Sequence, residues 1–229
     1  MRNIAHVVLF ATGFGGHKDN KAAERFAETV MSKYKDVAVL VFNWPNHGDD
    51  VKRRITMDDC RTYLRLVLNH IREDLGVEDI CLYAVSFGAY MSLTYIHENG
   101  SPFRKMALRS PAINMYESMT DRIMTPAEIK ALDKGKDIGV GFDRKINVNQ
   151  QFLDDVKNND IQQYDFIDFA EDLLILQGRK DEVIPFEVVE KFADDNIIEF
   201  IPYDKADHRF QDYATMGAAI KAMIEFFAI

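Results

Sequence analysis

The sequence predicts an α/β protein with a mostly parallel sheet of about six strands and helices on both faces. Three observations predict it. Apolar runs of strand length alternate with segments of helical period, the pattern of repeated βα units. The chain has 229 residues, 47% of them hydrophobic, which suits one large domain with a substantial core. No internal repeat, low-complexity tract or flexible linker divides it, so a single domain over residues 1–229 is expected.

The first strand is expected over residues 4–11. Its apolar run, Val7 to Phe10, has only Arg2 as an early charge and is interrupted by Gly13, Gly15 and Gly16 before it reaches bilayer-spanning length. It reads as a strand and not as a signal peptide. A helix over 21–33 and a strand over 37–42 follow. The clearest helix comes next, with Met57, Cys60, Tyr63, Leu64, Val67, Leu68, Ile71 and Leu75 on one face, Thr56 as its cap and Gly76 at its end. Further strands are expected over 80–85, 105–109, 173–177 and 197–201, and further helices over 87–98, 186–194 and 213–227. Residues 112–165 break the alternation. They are polar, carry a Gly-rich piece over 135–142, and contain a helix start at Thr125-Pro126-Ala127-Glu128, so a folded lid inserted over the sheet is expected.

A formal net charge of −9 argues against nucleic acid and against an anionic membrane as partners, since both call for a concentrated basic surface. Cys60 and Cys81 are the two cysteines, one on an expected helix and one inside an expected strand, which indicates neither a disulfide framework nor a cysteine metal site. A reducing compartment, the cytoplasm, is the expectation. His6, His17, His47, His70 and His97 lack metal-ligand spacing, and neither metal nor organic cofactor is expected.

The segment Ile80-Cys81-Leu82-Tyr83-Ala84-Val85-Ser86-Phe87-Gly88 runs an apolar strand into a serine with very small residues two positions before and after it. A serine on a sharp strand-to-helix turn needs such neighbours, because the backbone there is strained and approached closely. Acyl transfer by serine further needs a base, a carboxylate that orients it, and backbone N–H groups aimed at the oxyanion. Asp181, in the Gly-containing turn after the fifth strand, is the candidate acid, and His208, on the loop after the last strand, the candidate base. Alone, Asp181 reads equally as a helix-flanking carboxylate and His208 as a surface-loop histidine. Together with Ser86 they follow three strands of one sheet, where open α/β folds place their sites. Asp204, Asp207 and Glu182 are rival acids; Asp207 is poorly placed to reach the ring of its own neighbour. The oxyanion donors are expected to be the N–H groups of Phe87 and of Phe14, in the loop Thr12-Gly13-Phe14-Gly15-Gly16-His17. A phosphate-binding reading of that loop fails because neither G-x-G-x-x-G nor G-x-x-x-x-G-K-[ST] is met. His17, Tyr116, Phe142 and Phe152 are candidate substrate-binding residues, and His47 a candidate for the pocket mouth.

These motifs resemble those of α/β-hydrolase-fold serine esterases of the small-lid kind that includes cinnamoyl and feruloyl esterases and monoacylglycerol-lipase-like proteins. Thr12-Gly13-Phe14-Gly15-Gly16 resembles the family's His-Gly-Phe oxyanion loop, and Asn43-Trp44-Pro45-Asn46-His47-Gly48-Asp49-Asp50 its Asp-x-x-Gly-x-Gly-x-Ser turn. Ser86, Asp181 and His208 match its elbow, acid and base in their order along the chain. Thr12 stands where the family has histidine, Ala84 where it has glycine, and Asn43, Asn46 and Asp50 are further departures. The resemblance implies a trimmed sheet in the order 2-1-3-4-5-6 with the lid after the fourth strand, and hydrolysis of a small short-chain or aryl carboxylic ester without a cofactor. Thioester or peptide cleavage, and a non-catalytic ligand-binding role, are the alternatives.

Overall fold

A computed structural model describes residues 4–48, 54–142 and 144–229. Arg2, Asp49 and Asp50 lie outside the described residues. The elements in chain order are β1 (His6–Ala11), α1 (Lys21–Lys33), β2 (Val37–Phe42), α2 (Met57–Asn69), β3 (Asp79–Val85), α3 (Phe87–Asn99), β4 (Lys105–Arg109), α4 (Met115–Glu117), α5 (Pro126–Leu132), β5 (Ile138–Val140), β6 (Ile146–Val148), α6 (Gln150–Asn158), β7 (Leu173–Gly178), α7 (Phe186–Asp195), β8 (Glu199–Tyr203) and α8 (Tyr213–Phe227). Six strands form a parallel sheet in the order β2-β1-β3-β4-β7-β8, the order anticipated from the sequence.

Alternation along the strands divides the core in two. In β1, Val7, Leu9 and Ala11 pack with α2, α3 and the segment between β4 and β7, whereas Val8 and Phe10 pack with α1 and α8. The centre of the sheet is apolar on both faces because helices cover both. α3 is buried nearly all round, from Phe87 to Leu93, and sits directly behind the turn that carries Ser86.

Local chemistry sets most boundaries. Asn20, Thr56 and Asp212 cap α1, α2 and α8 by accepting backbone N–H groups, and Thr125 and Glu128 form a reciprocal capping box on α5. α2 continues into a wider π-turn over His70–Asp74, which ends at Gly76 with φ +67°. The wider turn carries Leu75 off the buried face, and Tyr63 also points outward, so these two leave the expected apolar stripe. The last strand starts two residues later than expected: Ile197 takes a left-handed turn at φ 57° after α7 and is exposed. Pro202 is tolerated in β8 because it is an edge strand. The segment between β4 and β7 is folded, and it contains an antiparallel hairpin, β5 with β6, that the sequence did not announce. Among the described residues no helix is long and apolar enough to cross a membrane.

The backbones of β1 and α3 meet at Gly88. A Cβ there would collide with the carbonyl oxygen of Ala11 and lie 2.7 Å from that of Thr12. Gly88→Ala gains at most about 1 kcal/mol of helix propensity but drives a Cβ into rigid backbone, at the upper end of the roughly 1–3 kcal/mol that overpacking costs, so a net loss of about 1–2 kcal/mol in unfolding free energy is expected. Urea titration measures it, and a variant as stable as the parent contradicts the account.

Candidate active site

Ser86 closes β3 and opens α3 with φ 52° and ψ −116°, a conformation that side chains other than glycine rarely adopt. Four backbone bonds hold it there. The Ser86 N–H donates to the Arg109 carbonyl at 3.1 Å, and the Ser86 carbonyl accepts the N–H groups of Ala89, Tyr90 and Ala112 at 3.0, 3.1 and 3.3 Å. Gly13 approaches so closely that a Cβ on it would lie 3.3 Å from the Cβ of Ser86.

Asp181 follows β7 in a tight turn. Its Oδ1 accepts the N–H groups of Val183 and Ile184 at 2.9 and 2.8 Å, and its Oδ2 accepts Gln177 Nε2 at 3.0 Å. These donors aim the carboxylate at His208, whose Nδ1 lies 2.9 Å from Oδ2 and 3.1 Å from Oδ1. The other ring nitrogen, Nε2, is 3.1 Å from Ser86 Oγ. The Asp181 side chain is fully buried and that of His208 is 13% exposed, so the imidazole alone faces the cleft. Gly178 lets the turn of Asp181 close on the loop of His208, because a Cβ there would strike the Ala206 carbonyl. From beneath, Ser110 Oγ donates to the His208 carbonyl and Arg109 Nη1 to the Arg209 carbonyl, both at 3.0 Å. The rival acids point elsewhere: Asp204 pairs with Arg179 at 3.1 Å, Asp207 accepts the Gln211 N–H, and Glu182 is exposed.

The Phe14 and Phe87 N–H groups find no acceptor among the described residues. The loop that carries Phe14 is fixed by the turn over residues 43–47, which the sequence marked only by resemblance. Trp44 Nε1 donates to the Thr12 carbonyl at 2.8 Å, Asn43 Oδ1 accepts the Lys18 N–H at 2.7 Å, and His47 Nε2 accepts the Gly15 N–H at 2.9 Å. Since Gly15 can only donate, the proton of the neutral ring sits on Nδ1, which donates to the Pro45 carbonyl at 2.8 Å. Burial pushes the His47 pKa down to about 4, so the ring stays neutral and keeps accepting. His47 is therefore a buried brace behind the loop and not part of the pocket mouth.

A cleft of about 620 Å³ opens over Ser86 and His208, bordered by Gly13, Phe14, Phe142 and Val183. Of the four candidate substrate-binding residues only Phe142 borders it, and Phe142 is half exposed. Phe152 is 1% exposed and lies behind Phe14, ring centres 6.3 Å apart, so it supports the loop from within the core. Tyr116 lines a separate, smaller hollow with Tyr90 and Ile113. His17 folds back onto Asp19, its Nδ1 accepting the Asp19 N–H at 3.2 Å. No three His, Cys, Asp or Glu side chains gather as a metal-binding group among the described residues. Cys60 and Cys81 are buried thiols whose pKa values burial raises, that of Cys81 to about 11.

A model of the alpha/beta hydrolase fold family matches residues 6–137, more than half of the chain. The chain belongs to that family. No curated protein sequence matches it. Among solved structures it is similar to a putative hydrolase from Agrobacterium vitis S4, with a TM-score of 0.77 and 16% identity over 97% of this chain and 88% of that one. It is also similar to Est1E from Butyrivibrio proteoclasticus, solved with ferulic acid bound, at TM-score 0.73 and 18% identity over 99% and 91% of the two chains. A soluble variant of monoglyceride lipase from Saccharomyces cerevisiae, in complex with a substrate analogue, gives 0.72 and 14% over 100% and 88%.

The neutral His47 sets a pH dependence. Unfolded, it takes a proton below about 6.5; folded, only below about 4. Between those values the unfolded chain binds more protons, so stability present above pH 6.5 is lost as the pH falls toward 4. Between pH 7 and pH 4.5 the parent should lose about 2–3 kcal/mol more unfolding free energy than His47→Phe does. Urea unfolding of both proteins at both pH values measures this, and equal losses contradict a neutral brace.

Proposed function

We propose that this chain is a serine hydrolase that cleaves small carboxylic esters through an acyl-enzyme intermediate. The observation that carries the reading is the continuous contact from Ser86 Oγ to His208 Nε2 at 3.1 Å and from His208 Nδ1 to Asp181 Oδ2 at 2.9 Å. His208 takes the Ser86 proton as Oγ attacks the ester carbonyl, and Asp181 fixes the proton-bearing Nδ1 toward itself and stabilises the imidazolium. The oxyanion accepts from the Phe14 and Phe87 N–H groups, which have no other acceptor among the described residues. His208 then protonates the leaving alcohol. Water, deprotonated by the same ring, attacks the acyl-enzyme, releases the acid and restores Ser86.

Phe14 and Phe142 at the cleft favour a short acyl or aryl group. The unpaired, buried thiols of Cys60 and Cys81 favour a reducing compartment, and we assign the enzyme to the cytoplasm. Similarity in fold to Est1E and to monoglyceride lipase supports hydrolysis as the class of chemistry.

Ser86→Ala should lose on the order of 10⁴-fold in turnover of 4-nitrophenyl acetate or butyrate while keeping its circular-dichroism spectrum and urea midpoint. Hydrolysis by the folded variant at near the parent rate overturns the reading.

A further inference from the structure

The chain carries a formal net charge of −9, yet one arm of the cleft over Ser86 is lined by cations. Lys21 and Arg25, on the first turns of α1, and Arg109, at the end of β4, border it. None of the three forms an ion pair with any described residue, and no Asp or Glu among the described residues borders the cleft. Arg25 is held by the Tyr213 carbonyl, to which Nη2 donates at 3.0 Å, and by the Tyr213 ring, 3.5 Å from its guanidinium carbon. A fourth cation, Arg209, lies over the Phe142 ring.

Arg109 gives this arm its weight. It is 4% exposed. Nη1 reaches the Arg209 carbonyl at 3.0 Å and Met216 Sδ at 3.6 Å, the rings of Tyr83 and Phe210 lie 5.8 and 5.4 Å away, and Nε is buried without a partner. A guanidinium removed from water without a counter-anion is costly, and an anion beside it recovers much of that cost. The cleft thus offers an anion what an otherwise acidic chain does not, several cations and no bordering carboxylate among the described residues beside the serine.

We propose that the substrate is an ester bearing a carboxylate or other small anionic group, received by Arg109, Arg25 and Lys21 while the ester lies at Ser86. This deepens the serine-hydrolase reading and rests on it. A neutral acyl or aryl ester fills the apolar side of the cleft and leaves the cationic arm to water, whereas an anionic ester uses both. Arg109 is then both a binding residue and a support for the His208 loop, so its own substitution mixes two effects. Lys21 and Arg25 do not touch the Ser86, His208 and Asp181 side chains and separate them.

The test compares kcat/KM for two matched pairs: 4-nitrophenyl hemiglutarate against 4-nitrophenyl valerate for an anion on the acyl side, and 3-acetoxybenzoate against its methyl ester for an anion on the alcohol side. In at least one pair the anionic ester should be preferred by about tenfold or more at low salt, and the preference should shrink as ionic strength rises. In the Lys21→Met, Arg25→Met double variant, which leaves Arg109 in place, the ratio within that pair should fall severalfold; being a ratio, it is insensitive to a general loss of active enzyme. The expected pair tells which side of the ester carries the anion, and preference in either supports the proposal. Ser86-dependent hydrolysis that favours the neutral ester in both pairs, or a preference that the double variant and salt leave intact, overturns it while the hydrolase reading stands. Absence of Ser86-dependent hydrolysis of all four esters removes the hydrolase reading itself.

Discussion

The strained backbone of Ser86 sets the geometry of everything around it. A residue at φ 52° and ψ −116° is held against an intrinsic penalty of about 1–3 kcal/mol, and it persists because its N–H and carbonyl bind β4, α3 and the chain after β4 at once. That conformation lifts Oγ out of the sheet edge into the cleft. It also requires bare backbone nearby: Gly13 beside the serine and Gly88 against the end of β1. Ala84, where the resembled family has glycine, is fully buried inside β3.

Around that point the fold divides its labour. Strand ends position the Ser86, His208 and Asp181 side chains, and loops that bind one another position the strand ends' extensions. The acid turn is fixed by its own N–H groups and by Gln177, and the base loop by Ser110 and Arg109 below it. The glycine loop is fixed by Trp44, Asn43 and His47. Apart from the exposed Lys18–Asn43 bond, these bonds are made by buried or half-buried polar groups, where a satisfied donor and acceptor define one geometry and an unsatisfied one would cost about 1–3 kcal/mol. Behind the loop, the packed rings of Phe14, Phe87, Phe152 and Trp44 supply the rigid backing.

Much of this was legible in the residues. The six main strands and the helices α1, α2 and α7 follow from apolar runs and helical period, because their burial repeats along the chain, whereas α3, buried nearly all round, and α8 follow from their length and their place after a strand. The residues that form the Ser86, His208 and Asp181 relay could be found because each follows its own strand. The short hairpin of β5 and β6 could not, since three-residue strands around Gly139 and Gly141 show no alternation. Aromatic identity also misled: Phe152 and Tyr116 pack in the interior and in a separate hollow, a distinction that depends on where the inserted segment folds. The sequence offers His47 as a turn residue at the pocket mouth and Arg109 as a strand end. Their roles arise from partners 32 and 100 residues away in sequence, Gly15 and Arg209, although an arginine closing an apolar strand with no acid beside it was a signal in plain view.

An imidazole in contact with the Ser86 hydroxyl should activate it as a nucleophile, and reaction with a fluorophosphonate, followed by intact mass spectrometry and peptide mapping of the parent and of His208→Ala, measures that activation. One adduct per chain is expected on Ser86, formed rapidly in the parent and at least about a hundredfold more slowly without the imidazole. An unmodified Ser86, or labelling as fast in the variant as in the parent, contradicts that activation.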